Sequence, residues 1–370
     1  MKGTMKQAWL MNKGGPWELK DVPIPKPGPN QLLVKTTVSS ICNQTDLNTI
    51  RALHPPHDHQ CRLMFPHHFR QWDKRLPDVL SDVYPAETYP FEPFPTTMGH
   101  EGTGIVVGIG DYIKTEDRIL GDAIDFQVGD RVVGIPVVGG FGEYFLLDRG
   151  MTVPVPDSMT DEDATLVEPV FMVYNVVRQV ISIGDTVAIL GQGSLGLIAT
   201  QIAKHMGASL IIVSELEPEK RTLALEYGAD YAIDPKEKNA VHEIERITKG
   251  RGVDVGIEAA GEPETTRILP YIMAMGGKIG QIGACCVPVT IDWSYLHFKG
   301  LKVTSEVHML YRSLPRQVLE YSIRLITSGM VNLKKMVTHR YQLDQINEAF
   351  KAVESGKVIK ALFVFEKQSI

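Results

Sequence analysis

The stretch that decides the fold is TVAILGQGSLGLIATQIAKHM, residues 186–206. Its first five residues form a short apolar run between turns, which predicts a buried strand. From residue 194 to residue 206, apolar side chains recur at the i, i+3, i+4 and i+7 spacing of a helix with one buried face. Three glycines lie where the two runs meet. The pattern predicts a strand, a tight turn and an amphipathic helix.

The same alternation of strand and helix continues along the chain. Further apolar runs of strand length lie at residues 210–213, 231–233, 253–257, 278–282 and 301–304. Helical patterns separate most of these runs, as at residues 219–227, which Gly228 closes. Strands that alternate with helices form parallel sheets covered on both faces. We therefore expect an α/β fold with a doubly wound parallel sheet of six strands.

The glycines between strand and helix fit the spacing G-x-G-x-x-G. Gly191 would permit the tight turn, Gly193 would let the backbone approach a pyrophosphate, and Gly196 would let the helix pack on its strand. Ser194 and Leu195 would present the unpaired N–H groups of the helix start to the phosphates. The motif alone is weak, but its place between a strand and a helix is the context that it requires. Residues 191–196 are our candidate dinucleotide-binding loop.

A carboxylate follows at the expected place. Glu215 ends the next predicted strand, 19 residues after Gly196 (215 − 196), close to the spacing of about 20 found for the residue that binds the ribose. A carboxylate there accepts hydrogen bonds from the ribose hydroxyls and repels a 2′-phosphate, so we predict NAD rather than NADP. The alternative is a solvated glutamate in an α/β domain that binds no nucleotide.

The rest of the chain has a different character. Short strands separated by turns are predicted at residues 31–39, 104–108 and 130–136, and two helical segments and a last strand follow residue 313. Residues 54–95 lack periodicity and are rich in His, Pro and aromatic side chains. Within them, His57, His59 and Cys61 suggest an extra metal site. Because the spacing matches no closed zinc pattern, we favour a loop that covers the cleft or a subunit contact.

Length and composition narrow the class of protein. The chain has 370 residues, enough for two domains, and 44% are apolar. Its net charge of −6 argues against general binding to nucleic acid or anionic membranes. We find neither a membrane span nor a signal peptide in the sequence. Only four cysteines are present, too few and too scattered for a disulfide framework, so we expect a reducing compartment, the cytoplasm.

Four residues form a candidate ligand set for a catalytic metal. Cys42, His100, Glu101 and Glu168 offer a thiolate, an imidazole and carboxylates, which is a plausible set for a zinc ion with one open position. Each also has an ordinary interpretation. A single cysteine is usually a small buried side chain, and a His-Glu pair commonly lies at the surface. Chemistry alone leaves both interpretations open.

The order of these residues along the chain resembles a known family, the zinc-dependent medium-chain dehydrogenase/reductases of the alcohol dehydrogenase superfamily. The pattern is most similar to the sorbitol and threonine dehydrogenase branch. The resemblance covers almost the whole chain except roughly residues 54–95. It is carried by the segments IC at 41–42 with TD at 45–46, GHEG at 99–102, VGDRV at 128–132, GEY at 142–144, EP at 168–169, GQGSLG at 191–196 and GKVIK at 356–360.

The resemblance implies roles for the candidate ligands. Cys42 and His100 match two zinc ligands, and Glu168 matches the third, which is also a glutamate in the sorbitol and threonine branch. Glu101 matches a residue that either binds the metal or lies beside it and exchanges with water. No group of four closely spaced cysteines is present in the sequence, so we expect one catalytic zinc and no structural four-cysteine zinc.

It also implies roles for three neighbours. Asp46 matches the aspartate that orients the zinc-bound imidazole. Thr45 matches the hydroxyl that relays the alcohol proton, and Lys360 matches a basic residue that can approach the cofactor pyrophosphate. One departure weakens the assignment of Thr45: the family usually has Cys-x-Ser/Thr-Asp, whereas this chain has one residue more, CNQTD at 42–46.

The resemblance finally implies an architecture and an activity. We expect a Rossmann domain at residues 171–313, inserted in a mostly β, partly open barrel-like (GroES-like) catalytic domain at residues 1–170 and 314–370. The expected reaction is reversible oxidation of a secondary alcohol or polyol to a ketone with hydride transfer to NAD, in a homodimer or homotetramer. Two alternatives stay open: a zinc-free reductase of the quinone or enoyl type, and a non-catalytic cofactor-binding protein of the crystallin kind.

Overall fold

A computed structural model describes residues 3–51, 94–112, 124–135, 139–285, 289–305 and 315–366. In chain order its strands are β1 (Thr4–Leu10), β2 (Trp17–Pro23), β3 (Gln31–Ser40), β4 (Glu101–Ile109), β5 (Arg131–Gly134), β6 (Tyr144–Asp148), β7 (Thr152–Pro154), β8 (Thr186–Leu190), β9 (Leu210–Ser214), β10 (Tyr231–Ile233), β11 (Val253–Glu258), β12 (Met273–Gln281), β13 (Lys302–Thr304), β14 (Val337–Tyr341) and β15 (Lys360–Val364). The helices are α1 (Thr45–Ile50), α2 (Asp161–Thr165), α3 (Val167–Val180), α4 (Ser194–His205), α5 (Pro218–Glu226), α6 (Ala240–Ile247), α7 (Pro263–Ile272), α8 (Trp293–Lys299), α9 (Pro315–Thr327) and α10 (Ile346–Glu354).

The glycine-rich stretch opens a six-stranded parallel sheet. Its strand order is β10-β9-β8-β11-β12-β13. The chain runs outward from β8 to β10 and then returns to β11 on the other side of β8. The carboxyl ends of β8 and β11 therefore lie at the point where the strand order reverses, which is where open α/β sheets bind their ligands. The predicted doubly wound sheet is confirmed.

Apolar side chains hold α3 and α4 against this sheet. Val177 on α3 and Ile198 on α4 are fully buried in one cluster with Val187 of β8. Burial of such side chains contributes about 1.5–3 kcal/mol each relative to exposure. The spacing of apolar residues that predicted α4 is therefore the spacing of its contacts with the sheet.

Mostly antiparallel strands form the second sheet, in the order β14-β15-β3-β4-β5-β7. The central strand β3 pairs with β4 along its length, with β6 at its start and with β15 at its end. An added Cβ at Gly104 of β4 would lie 2.0 Å from the carbonyl oxygen of Lys35, so only glycine permits this close pairing. The strands β1 and β2 form a separate antiparallel pair. The expected mostly β unit is confirmed.

The two sheets are joined by helix α3 and by a shared apolar contact. Val331 and Met336 of the segment after α9 are buried in the same cluster as the helix α4. Gln201 of α4 also accepts a hydrogen bond from the backbone N–H of Asn332 (2.6 Å). The expected boundary at 170/171 falls inside α3, and the one at 313/314 lies outside the described residues. The division into residues 1–170 with 314–370 and 171–313 stays a prediction.

The strands β6, β7 and β14 were not predicted from the sequence. The strand β14 has the sequence VTHRY and alternates half-buried with exposed side chains beside β15. Such a short polar strand carries little apolar signal. Among the described helices, none combines the length and apolar character of a membrane span. The histidine-rich residues 54–93, with the His57, His59 and Cys61 site considered above, lie outside the described residues.

Candidate active site

The pairing of β3 with β4 brings three candidate ligands together. Ser40, the last residue of β3, pairs with Glu101, the first residue of β4. Cys42 follows β3 by two residues and His100 precedes β4 directly, so both lie at the same end of this strand pair. The ligand atoms of Cys42, His100 and Glu101 all lie within 4.8 Å of one another. The structure thus brings together three of the four residues predicted to bind zinc.

Asp46 supports two of these ligands at once. One carboxylate oxygen accepts the backbone N–H of Cys42 (2.9 Å) and the other lies 3.5 Å from Nδ1 of His100. Asp46 is 1% exposed. Burial alone would lower the pKa of His100, but Cys42 and Asp46 outweigh it and hold the pKa well above 6.5. A carboxylate at Nδ1 would direct Nε2 of the ring toward a metal. The orienting role of Asp46 stays a prediction.

Glu168 lies at the same buried cluster but is not one of the three. It is the second residue of α3 and is 7% exposed. Burial raises the pKa of Glu168 to about 7, with His100 opposing and Glu101 adding to the shift. Its carboxylate therefore has electrostatic contact with both residues. The assignment of Glu168 as the third zinc ligand stays a prediction.

Lys360 belongs to the metal cluster. Its ammonium group donates to Glu101 Oε1 at 2.7 Å and to the carbonyl of Ile41 at 3.2 Å, and the residue is 1% exposed. The hydroxyl of Ser40 donates to the other oxygen of Glu101. The resemblance implied that Lys360 approaches the cofactor pyrophosphate. The structure pairs the buried charge of Lys360 with Glu101, and an approach to the pyrophosphate stays a prediction.

The donor set fits a zinc ion. Thiolate, imidazole and carboxylate are the ligand types of catalytic zinc, and ligand atoms within 4.8 Å need only small shifts to reach one ion at about 2.0–2.3 Å. Thr45 opens the helix α1 beside this set and is partly exposed. Its predicted proton-relay role stays a prediction.

The glycine loop has the geometry of a phosphate cradle. Gly191 has φ of +91°, and a Cβ there would lie 2.7 Å from the backbone nitrogen of Ala260. At Gly196 a Cβ would lie 2.0 Å from the carbonyl oxygen of Gly191, whereas at Gly193 it would meet nothing within 4 Å. The space over Gly193 is open, as a pyrophosphate requires. Ser194 begins the helix α4, which places its first N–H groups at this opening.

Glu215 lies beside this loop, at the end of β9. One carboxylate oxygen accepts the backbone N–H of Gln192 (2.6 Å) and the other accepts the N–H of Glu217 (3.0 Å). Two cations of the next helix lie near Glu215. Arg221 forms an ion pair with Asp234 (2.8 Å) and donates to the carbonyl of Glu215. Lys220 interacts electrostatically with Glu215, and its Nζ donates to the carbonyl of Gly356 (2.6 Å). The carboxylate of Glu215 therefore lies at the predicted ribose site, with two nearby cations that are bonded to other groups.

Gln44 and Glu258 are among the polar residues of this region that were not predicted from the sequence. Gln44 donates to the carbonyl of Ala260 (2.8 Å) and accepts the N–H of Ala284 (2.9 Å), which links the Cys42 loop to the parallel sheet. The extra residue in CNQTD was the available signal. Glu258 is fully buried at the end of β11. The sequence feature that could have pointed to Glu258 is a charged residue directly after the mostly apolar strand VDVGI.

Comparison with known proteins identifies the family. Residues 194–327 match the family described as zinc-binding dehydrogenase, and residues 77–157 match the alcohol dehydrogenase GroES-like domain. The chain is 32% identical to L-threonine 3-dehydrogenase of Pyrococcus horikoshii, over 94% of this chain and 95% of the relative. This chain belongs to the zinc-binding dehydrogenases of the alcohol dehydrogenase superfamily. Its resemblance to the threonine and sorbitol branch is confirmed.

Solved structures agree with this membership. The chain resembles the 2R,3R-butanediol dehydrogenase of Bacillus subtilis with a TM-score of 0.73, 26% identity and coverage of 98% of this chain and 100% of that one. It resembles a zinc-binding dehydrogenase of Sinorhizobium meliloti, bound to NADP, with a TM-score of 0.75, 25% identity and the same coverage. The chain is a zinc-dependent oxidoreductase for alcohol-type substrates, as predicted.

Proposed function

We propose that this dehydrogenase oxidises a secondary alcohol that carries a neighbouring hydroxyl or amino group, with NAD as hydride acceptor. One observation supports it most: Gln44, two residues after Cys42, is hydrogen-bonded to Ala260, and Ala260 in turn packs against Gly191 of the nucleotide loop. The loop of Cys42 and the dinucleotide loop are therefore linked through Gln44 and Ala260. Hydride transfer needs the alcohol carbon and the nicotinamide side by side.

The substrate class rests on the relatives. L-threonine and 2R,3R-butanediol, the substrates named for two of them, are both secondary alcohols with a polar group on the next carbon. Zinc, when bound, supplies a Lewis acid that lowers the pKa of the alcohol. Cys42 and His100 would hold it, with Glu101 or Glu168 completing the set, and Asp46 would keep the imidazole in place. Thr45 receives the alcohol proton.

The preference for NAD rests on Glu215. Its carboxylate lies at the predicted ribose site and would repel a 2′-phosphate, while Arg221 is paired with Asp234 and Lys220 is bonded to the carbonyl of Gly356. The Sinorhizobium relative binds NADP, so cofactor choice differs within this fold. We propose NAD for this chain.

A substrate screen tests the function directly. Zinc content should be about one ion per chain, and NAD reduction should occur with some members of a panel of polyols, vicinal diols, L-threonine and simple secondary alcohols. Cys42→Ala should lose both zinc and turnover. Protein without zinc that reduces quinones or enones would support the zinc-free alternative. Tight NAD binding with no turnover on any substrate would support the non-catalytic one.

We also propose a homodimer or homotetramer. Among the described residues, the outer strand β13 has no strand partner on its far side, and large apolar side chains near it are strongly exposed: Met275 (74%), Trp293 (74%), Phe298 (75%) and Val303 (56%). A second copy pairing along this edge would bury them. Sedimentation of the double variant Trp293→Glu/Phe298→Glu should show monomers. Ile183→Glu, at an exposed side chain on another part of the domain, should leave the assembly unchanged.

We also propose a cytoplasmic location. Cys42 and Cys285 are free thiols in the structure, and a thiol that binds zinc must stay reduced. Fractionation of cells that express the full chain tests this location.

A further inference from the structure

The side chain of Gln44 crosses from the metal-binding loop to two loops of the parallel sheet. Its Nε2 donates to the carbonyl oxygen of Ala260 (2.8 Å), and its Oε1 accepts the N–H of Ala284 (2.9 Å). Asn48, one turn further along α1, adds a contact from Nδ2 to the carbonyl of Ala284 at 3.4 Å. Both functional groups of the Gln44 amide are thus engaged by the backbone of the opposite domain.

The loops that receive Gln44 are held in place by Glu258. Its Oε1 accepts hydrogen bonds from the backbone N–H groups of Ala260 (3.0 Å) and Gly261 (2.8 Å). Its Oε2 accepts a hydrogen bond from Nε2 of Gln281 (2.7 Å). That amide also donates to the carbonyl of Gly283 (2.8 Å). One buried carboxylate therefore fixes the ends of β11 and β12 relative to each other. Gln44 therefore binds to loops whose conformation is already fixed by Glu258.

Shape complementarity supports this contact. Gly261 has φ of +70°, and a Cβ there would lie 1.4 Å from Nε2 of Gln44. Any side chain at this position would displace the amide. The glycine is therefore needed both for its backbone conformation and for the approach of Gln44.

Asn43, the residue before Gln44, forms its hydrogen bonds with the segment that leads into β15. Nδ2 of Asn43 donates to the carbonyls of Val358 (3.0 Å) and Ile359 (3.1 Å). These two residues directly precede Lys360 of the metal cluster. Consecutive residues after Cys42 thus tie the loop to both sides of the cleft. Asn43 fixes it to the metal cluster, and Gln44 fixes it to the sheet that holds the nucleotide.

We propose that Gln44 is a positioning residue, an interdomain clasp that sets the separation between the metal ligand Cys42 and the cofactor edge of the parallel sheet. This inference rests on the proposed function, since it assigns a purpose to the clasp in hydride transfer. Gln44 touches neither the metal cluster nor the nucleotide loop directly. It acts by fixing Ala260 and Ala284 at a set distance from the loop of Cys42.

The test compares zinc-loaded wild type with Gln44→Met and Asn43→Ala. Methionine has a side chain of similar length, so it leaves no large cavity. It removes both hydrogen bonds. In Gln44→Met the amide of Ala284 should exchange with solvent about tenfold faster, and kcat should fall about tenfold with full zinc content and little change in the KM of the alcohol. Asn43→Ala should leave exchange at Ala284 unchanged.

Each outcome decides the proposal. Wild-type exchange at Ala284 in Gln44→Met would overturn the clasp, and so would faster exchange with unchanged kcat. Loss of zinc together with activity would also overturn it, because Gln44 would then serve only the stability of the loop. The exchange measurement needs no turnover. If wild type oxidises no alcohol, the proposed function fails, while the exchange result still shows whether the clasp exists.

Discussion

Nζ of Lys360 lies 2.7 Å from Oε1 of Glu101, and both side chains are almost completely buried (1% and 2% exposed). The residues belong to different strands of the antiparallel sheet, β15 and β4, on either side of β3. Burial lowers the pKa of Lys360, but Glu101 and Cys42 outweigh it, so that the pKa is raised. A charged lysine is thus part of the metal cluster.

Removing one member of this pair should be costly. Lys360→Met leaves the Glu101 carboxylate buried without its cation, and we expect a loss of about 3–5 kcal/mol in the free energy of unfolding of zinc-free protein. Glu101→Gln should cost a similar amount. The double variant should recover most of it, since no charge stays unpaired. Urea unfolding of the four proteins measures the coupling, and additive losses would contradict the pair.

Asp46 should control metal affinity more than fold stability. Asp46→Asn keeps the size of the side chain but weakens the contact with Nδ1 of His100, so we expect zinc affinity to fall about 10- to 100-fold. Competition with a chromophoric chelator measures this change. Asp163→Asn, at an exposed helix start away from the cluster, is the control and should bind zinc like wild type. Equal affinities in both variants would show that Asp46 does not orient the ligand.

The loop glycines should separate stability from cofactor binding. Gly193→Ala places a Cβ in open space, so its melting temperature should be unchanged while NAD affinity falls at least tenfold, because the methyl group occupies the phosphate site. Gly196→Ala should lower the melting temperature, since its Cβ would overlap the carbonyl oxygen of Gly191. Calorimetry of unfolding and of NAD binding distinguishes the two. Normal NAD binding by Gly193→Ala would argue against a pyrophosphate at this loop.

Glu215 should decide between the two nicotinamide cofactors. Glu215→Gln removes the charge that repels a 2′-phosphate, so the ratio of kcat/KM for NAD to that for NADP should fall about tenfold or more. Glu217→Gln, two residues further on, serves as the matched control. A preference for NADP in the wild type would contradict our assignment of Glu215.

Asp254 gives a pH dependence with a defined sign. Hydrogen bonds from Arg251 and from the N–H of Thr186 hold the pKa of Asp254 below its ordinary value of 3.8, despite partial burial. The folded protein therefore gains stability above pH 3.8, and that gain is lost as the pH falls through the lowered pKa. The difference in unfolding free energy between wild type and Asp254→Asn should be largest near neutral pH and shrink in acid.

The size of this effect is limited by solvent. Because the ion pair is partly exposed, we expect less than about 1 kcal/mol. Glu243→Gln removes a half-buried carboxylate whose pKa is lowered mainly by its hydrogen bond with Arg246, and it should give a difference with the same pH dependence. If the difference in unfolding free energy between wild type and Asp254→Asn grew toward acid pH, the predicted direction of the pH dependence would be wrong.

Local pattern was enough to predict the nucleotide-binding half. The loop at 191–196 and Glu215 are separated by one helix and one strand of regular length, so spacing alone places them together. The strand β14 was missed because its polar side chains are half exposed, and its position depends on pairing with β15. Apolar periodicity therefore predicts buried elements and not the polar edge of a sheet.

Contacts over long sequence separation could not be predicted in this way. The order of Cys42, His100 and Glu168 was recognised by resemblance, but the partner of Lys360 was not, since nothing near Lys360 in the sequence points to Glu101. The role of Gln44 depends on the backbone of Ala260 and Ala284, which carries no sequence signal. Pairing of distant strands and contact between domains decide these two cases.

Glu101 and Lys360 lie on strands at opposite sides of β3, so the metal centre cannot be completed during synthesis until β15 pairs with β3. Glu101 emerges from the ribosome 259 residues before Lys360, the cation that neutralises it. Until β15 has paired with β3, the nascent chain has a thiol, an imidazole and a carboxylate at hand without their buried counter-charge. We therefore expect the closed centre to form late, and chains that stop short of β15 to carry an open, solvent-accessible ligand set that exchanges zinc freely.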